Sequence, residues 1–234
     1  MGKVGSQSIT YALHKKGIIA QHVHCLSNDT LKSEFPTKNN DIVYNLKNNK
    51  KKYNVIVFVR DPMARNLSAF FQRIRKWTSK KPEHMSAREI QKDFIKNYDI
   101  TLSDQWFKRE LFTFFDLDIY KYKFPKEDGY RIYNSGKHKI LIMKLEFAKY
   151  KLAKALKEFL NISDILMEKK GAYMDRKVGK DFIKKYQDIK SMSFPDSFVE
   201  KNYNLNYSKH FYSKKEIEMF KLKWKPSINI GLNN

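Results

Sequence analysis

Val55-Ile56-Val57-Phe58-Val59-Arg60-Asp61-Pro62-Met63-Ala64-Arg65-Asn66-Leu67-Ser68 begins as an unbroken apolar run and then changes period. A run of five β-branched and aromatic residues is the pattern of a strand covered on both faces. Pro62 suits the first turn of a helix, where its missing N–H costs nothing. The stretch therefore predicts strand, turn and helix, with Arg60 at the turn. The start of the chain, Met1-Gly2-Lys3-Val4-Gly5-Ser6-Gln7-Ser8-Ile9, also leads small, polar and cationic residues into a helix. At both places, free backbone N–H groups and the helix dipole favour a phosphate. Two such sites on adjacent units point to a nucleotide carrying phosphates at both ends.

These residues resemble a known family. Lys3-Val4-Gly5-Ser6-Gln7-Ser8 looks like the loop with which sulfotransferases hold the 5′-phosphosulfate of 3′-phosphoadenosine 5′-phosphosulfate (PAPS). Arg60-Asp61-Pro62, Arg65 and Ser68 look like the family's 3′-phosphate site, an Arg followed by a Ser eight positions on. The Lys-Val-Gly-Ser and Arg-Asp-Pro forms are closer to glycan sulfotransferases than to the enzymes acting on small phenols. Ser208-Lys209-His210-Phe211-Tyr212-Ser213, with Glu216, Phe220 and Trp224, resembles bacterial capsular polysaccharide synthesis proteins. The resemblance implies an α/β fold of sulfotransferase type, a P-loop-NTPase-like parallel sheet flanked by helices. The family feeds a central strand into the phosphosulfate loop, whereas only Met1 and Gly2 precede Lys3 here. The expectation is that the first strand is missing. A late start codon, a fragment, or another segment in that slot would each account for it.

A chain of 234 residues, 41 % hydrophobic and 15 % aromatic, is large enough and apolar enough for one packed domain. We assign residues 1–224 to a single sulfotransferase-like domain and 225–234 to a C-terminal tail. A lone cysteine, Cys25, excludes an internal disulfide framework and argues against a Cys-rich zinc site, so no metal is expected. With no signal-peptide pattern or spanning apolar run, the expected location is cytoplasmic. Of 47 cationic residues, 39 are Lys, a bias that an AT-rich genome produces without a partner. The net charge of +22 nevertheless draws anions: PAPS, acidic polysaccharide, an anionic inner-membrane surface or nucleic acid.

Helices are expected over 6–16, 29–35, 62–77, 86–97, from a cap at Ser103, and over 147–160, with a Lys-rich helical C-terminal third. Strands are expected at 18–26, 54–59 and 139–145, giving βαβ units and a parallel sheet. Residues 118–134 read as an extended segment or lid.

By resemblance, Lys3 stabilises the bridging oxygen of the leaving nucleotide. Gly5, Ser6, Gln7 and Ser8 hold the 5′-phosphate, and Arg60 and Ser68 the 3′-phosphate. Arg65 lies one turn before Ser68, so both can face one anion. Arg60-Asp61 also fits a plain ion-paired turn, and Ser68 a small packing residue. For the base, His22 and His24 share a face of the predicted 18–26 strand, and imidazole titrates near neutrality. Glu146 is the rival, though a Glu at a strand end equally holds structure. His14, His84 and His138 read as surface residues, and His210 as a possible contact to nucleotide or acceptor. No complete Walker motif, Gly-x-Gly-x-x-Gly, His-Glu-x-x-His or Gly-x-Ser-x-Gly occurs. The expected function is sulfuryl transfer from PAPS to a glycan hydroxyl, with no specific nucleic acid. The competing readings are a basic nucleic-acid-binding protein and an inactive remnant.

Overall fold

In the computed structural model, residues 4–27, 40–163, 165, 167 and 180–225 are described. Lys3, the expected 29–35 helix and most of the expected tail lie outside them. The first elements are α1 (Ser6–Lys15), α2 (Asn40–Lys47) and β1 (Asn54–Val59). After β1 come α3 (Pro62–Gln72), α4 (Ile74–Trp77) and α5 (Ala87–Asn97). A continuous helical stretch then comprises α6 (Leu102–Phe107), a π turn (Lys108–Phe112) and α7 (Thr113–Phe115). The hairpin β2 (Tyr130–Ser135) and β3 (His138–Lys144) leads to α8 (Ala148–Leu160). Among the described residues, α9 (Lys180–Ser191), α10 (Asp196–Tyr203), α11 (Asn206–Phe211) and α12 (Lys214–Leu222) follow.

The sheet has the order β1-β3-β2. β1 runs parallel to β3, from Asn54 opposite Lys139 to Val59 opposite Lys144. β3 is the middle strand, and Ile140, Leu141, Ile142 and Met143 are all fully buried because helices and neighbours cover both its faces. β2 pairs antiparallel with β3, so the sheet is mixed where a parallel one was expected. The reason is local: Gly136, at φ +53°, opens a two-residue loop that returns the chain beside itself. The segment 18–26 forms no strand, and distant side chains bind its His24 carbonyl and Leu26 amide instead.

The helices follow their signals. In α3, Met63, Leu67, Phe70 and Phe71 recur at i, i+4, i+7 and i+8 and are buried, while Asp61 Oδ1 caps the amide of Met63 at 3.1 Å. The helix breaks at Arg73, short of the expected Trp77. Ser86 with Glu89 and Ser213 with Glu216 form capping boxes. Ser103 is not the expected cap: it is buried in the first turn of α6, and its hydroxyl has no partner among the described residues. One hydrophobic cluster runs from Val4 to Trp224, in which Phe94 of α5 touches Phe70 of α3 and Phe198 of α10.

Candidate active site

Gly5 precedes α1 at φ +84°, and a Cβ there would lie 2.9 Å from Leu145 Cδ1. Left-handed backbone and tight contact together require glycine. The Gly5 carbonyl accepts the amide of Ser8 at 3.0 Å and starts the helix. Gln7 is exposed and Ser8 buried. Ser6 Oγ and His22 Nε2 share a hydrogen bond of 2.7 Å. The rings of His22 and His24 stand edge to face with centroids 4.5 Å apart. Burial lowers the His22 pKa below the usual histidine value.

The two histidines come together without a strand. Trp106 Nε1 donates to the His24 carbonyl at 3.1 Å. Glu110 Oε2 accepts from the Leu26 amide at 2.5 Å, and Oε1 accepts from Ser27 Oγ at 2.7 Å. Side chains of the 102–115 helix thus satisfy backbone groups that a sheet would otherwise pair.

The second motif sits at the end of β1. Tyr207 Oη donates to the Arg60 carbonyl at 2.7 Å and accepts from the Arg60 amide at 2.7 Å. The Asp61 amide donates to Glu146 Oε1 at 2.7 Å, and Asp61 Oδ1 accepts from Tyr203 Oη at 2.7 Å. Tyr212 Oη donates to Glu146 Oε2 at 3.3 Å. Burial raises the carboxyl pKa values of both Asp61 and Glu146. Glu146, the rival base, is therefore occupied in holding the Asp61 peptide.

Ser68 is buried on α3. Arg65 is also buried. Its Nη1 donates to Asn66 Oδ1 at 2.7 Å and to Tyr98 Oη at 3.4 Å, while its Nε has no partner among the described residues. His138, expected at the surface, is buried on β3, where Nδ1 accepts from the Tyr53 amide at 3.1 Å.

Leu145 and Glu146 join the two motifs. Leu145 abuts Gly5 and Glu146 holds Asp61, so both helix starts flank the residues just past the carboxyl end of β3. Open α/β sheets bind ligands outside the carboxyl ends of parallel strands. Sequence reasoning missed Tyr203, Tyr207, Trp106 and Glu110. Nothing local marks them, because each acts on a segment far away in the chain.

This layout defines an α/β protein in which the starts of α1 and α3 flank the residues just past the carboxyl end of β3. The comparisons with known proteins agree with it. Residues 2–122 match the family described as "Sulfotransferase family", and residues 83–213 match the one described as "Putative capsular polysaccharide synthesis protein". The chain belongs to the sulfotransferase family and also matches the capsular polysaccharide synthesis family over more than half its length. No curated protein and no solved structure matched it significantly.

Proposed function

We propose that this chain transfers a sulfuryl group from PAPS to a hydroxyl of a capsular or other cell-surface polysaccharide. The observation that carries this reading is the meeting of the Gly5 and Arg60 motifs at Leu145–Glu146, with His22 on Ser6. The first turn of α1 and the hydroxyls of Ser6 and Ser8 would receive the 5′-phosphate, with Gln7 beside them. Arg60 and the hydroxyl of Ser68 would receive the 3′-phosphate, with the Arg65 charge behind them. Lys3 stays in its role by family resemblance, to neutralise the leaving oxygen.

In the step itself, the acceptor oxygen attacks sulfur and the bond from sulfur to the bridging phosphate oxygen breaks. The nucleotide leaves as 3′-phosphoadenosine 5′-phosphate, and the acceptor proton passes to an imidazole. Between the two candidates, His22 is the better placed. It touches the phosphosulfate loop, and its lowered pKa keeps it neutral and able to accept a proton. His24 would orient it from the side. Radiolabelled PAPS incubated with polysaccharide extracted from the source organism tests the reading. The label is expected in the polymer, and to disappear with Arg60→Ala and with Ser68→Ala. Incorporation unaffected by either substitution would overturn the site.

A further inference from the structure

A second concavity lies away from both motifs, a cleft of about 830 Å³ between the 102–115 helix, the 117–120 segment and α11. Asp104, Lys108 and Phe112 line it at successive i, i+4 positions of that helix. The contacts to the His24–Ser27 segment come instead from Trp106 and Glu110. These are each two residues on from Asp104 and Lys108, roughly half a turn around the helix. The cleft and the histidine segment therefore occupy opposite faces of one helix, roughly its 10 Å diameter apart.

The walls name a ligand. Two carboxylates, Asp104 and Asp118, balance two ammonium groups, Lys108 and Lys209, on a chain with a net charge of +22. A site for a polyanion would not be neutral on so basic a protein. Burial, and then the charges of Lys126 and Arg131 just outside the lining, push the His210 pKa down to about 4, so this wall residue itself adds no charge. Its Nε2 has no hydrogen-bond partner among the described residues. Phe112 and Tyr120, 45 % and 36 % exposed, offer aromatic faces beside these polar groups. Flat rings with interspersed acceptors and donors suit a ligand having both C–H faces and hydroxyls.

We propose that this cleft is a distal subsite for an uncharged stretch of the polysaccharide acceptor, binding sugar units remote from the one being sulfated. It rests on the function proposed above. It also explains why one helix carries both faces: the polymer held on one side is presented to the histidines on the other. α11 supports this coupling, since Lys209 and His210 line the cleft while Tyr207 clamps the Arg60 peptide.

The test uses polysaccharide extracted from the source organism, depolymerised to size-graded neutral oligomers, in calorimetry with the full chain. Affinity should rise with oligomer length and change little with salt. Phe112→Ala and Tyr120→Ala should each weaken the long oligomers about tenfold and leave short ones unaffected. Tyr150→Ala, on an exposed face of α8, should change nothing. Binding of 3′-phosphoadenosine 5′-phosphate is measured in parallel and reports on the nucleotide site and on folding. Oligomers that fail to bind, bind without length dependence, or ignore both ring substitutions while nucleotide binding persists would overturn the subsite and leave the sulfotransferase reading standing. Steep salt dependence would overturn the uncharged ligand. Length- and ring-dependent binding without nucleotide binding would overturn the sulfotransferase reading and the acceptor role with it, leaving the cleft a glycan-binding site.

Discussion

Asp61 is at once a helix cap, a buried carboxyl and the partner of a buried tyrosine. Its raised pKa means that the fold disfavours the ionised form. The sign follows: this contribution to stability is complete below the ordinary carboxylate range and is lost as pH rises through the raised value. Asp61→Asn keeps an acceptor oxygen and removes the charge. It should stay within about 1 kcal/mol of the parent and lose less stability between acid and neutral pH. Asp61→Ala should cost about 1–2 kcal/mol through the lost cap. Urea denaturation across that pH range checks both, and an Asp61→Asn variant with the parent's pH slope would contradict the assignment. His22 has the opposite sense. With its pKa lowered, activity should fall on the acid side only below the usual histidine value of about 6.5. His22→Gln should remove that limb and most of the rate, while His24→Gln should keep the limb at a reduced rate. A pH–rate profile unchanged in His22→Gln would rule it out as the base.

At the scale of elements, the C-terminal helices act on the strand ends. Tyr207 of α11 reaches Arg60 across 147 positions of sequence. Tyr207→Phe leaves the packing and removes both hydrogen bonds. It should cost about 1–3 kcal/mol in chemical denaturation and weaken nucleotide several-fold, since the Arg60 peptide loses its clamp. Unchanged nucleotide affinity would show that the clamp serves folding alone. Lys144, fully buried at the end of β3, donates to Glu216 Oε1 of α12 at 2.6 Å and to the Lys126 carbonyl at 2.7 Å. Glu216 keeps its bonds to Ser213 and is 22 % exposed, so Lys144→Ala should lose about 1.5–3 kcal/mol, the worth of a charged hydrogen bond. A loss below about 1 kcal/mol in urea would mean that the pair is effectively solvated. These elements also show what the sequence discloses. α3, α5 and α8 were legible because their periodicity, caps and prolines are local. The 18–26 segment was misread because apolar residues and alternating histidines satisfy the strand pattern. Whether a strand forms depends on a free sheet edge, and here Glu110 and Trp106 supply the hydrogen bonds from more than eighty positions away. Likewise, the Gly136 turn that makes the sheet mixed went unread.

Over the whole molecule, the two stretches proposed to hold phosphates, Lys3 to Ser8 and Arg60 to Ser68, are each contiguous in the chain, so sequence alone could propose them. Their junction at Leu145–Glu146 was not legible, since it depends on three segments converging. Nor was the ring of Tyr203, Tyr207 and Tyr212, whose roles are set by what they face rather than by their neighbours in sequence. The two family matches overlap over residues 83–122. That stretch contains α5 and the 102–115 helix, whose side chains join the N-terminal motif to the cleft. The central claim is that the two motifs make one site for a nucleotide with phosphates at both ends. Calorimetric titration of 3′-phosphoadenosine 5′-phosphate against AMP, on the parent chain and on Arg60→Ala, tests it most directly. Binding should be at least about tenfold tighter for the 3′-phosphorylated nucleotide, with that preference lost in Arg60→Ala while the protein stays folded. Equal affinity for AMP, or a preference that survives Arg60→Ala, would contradict the claim.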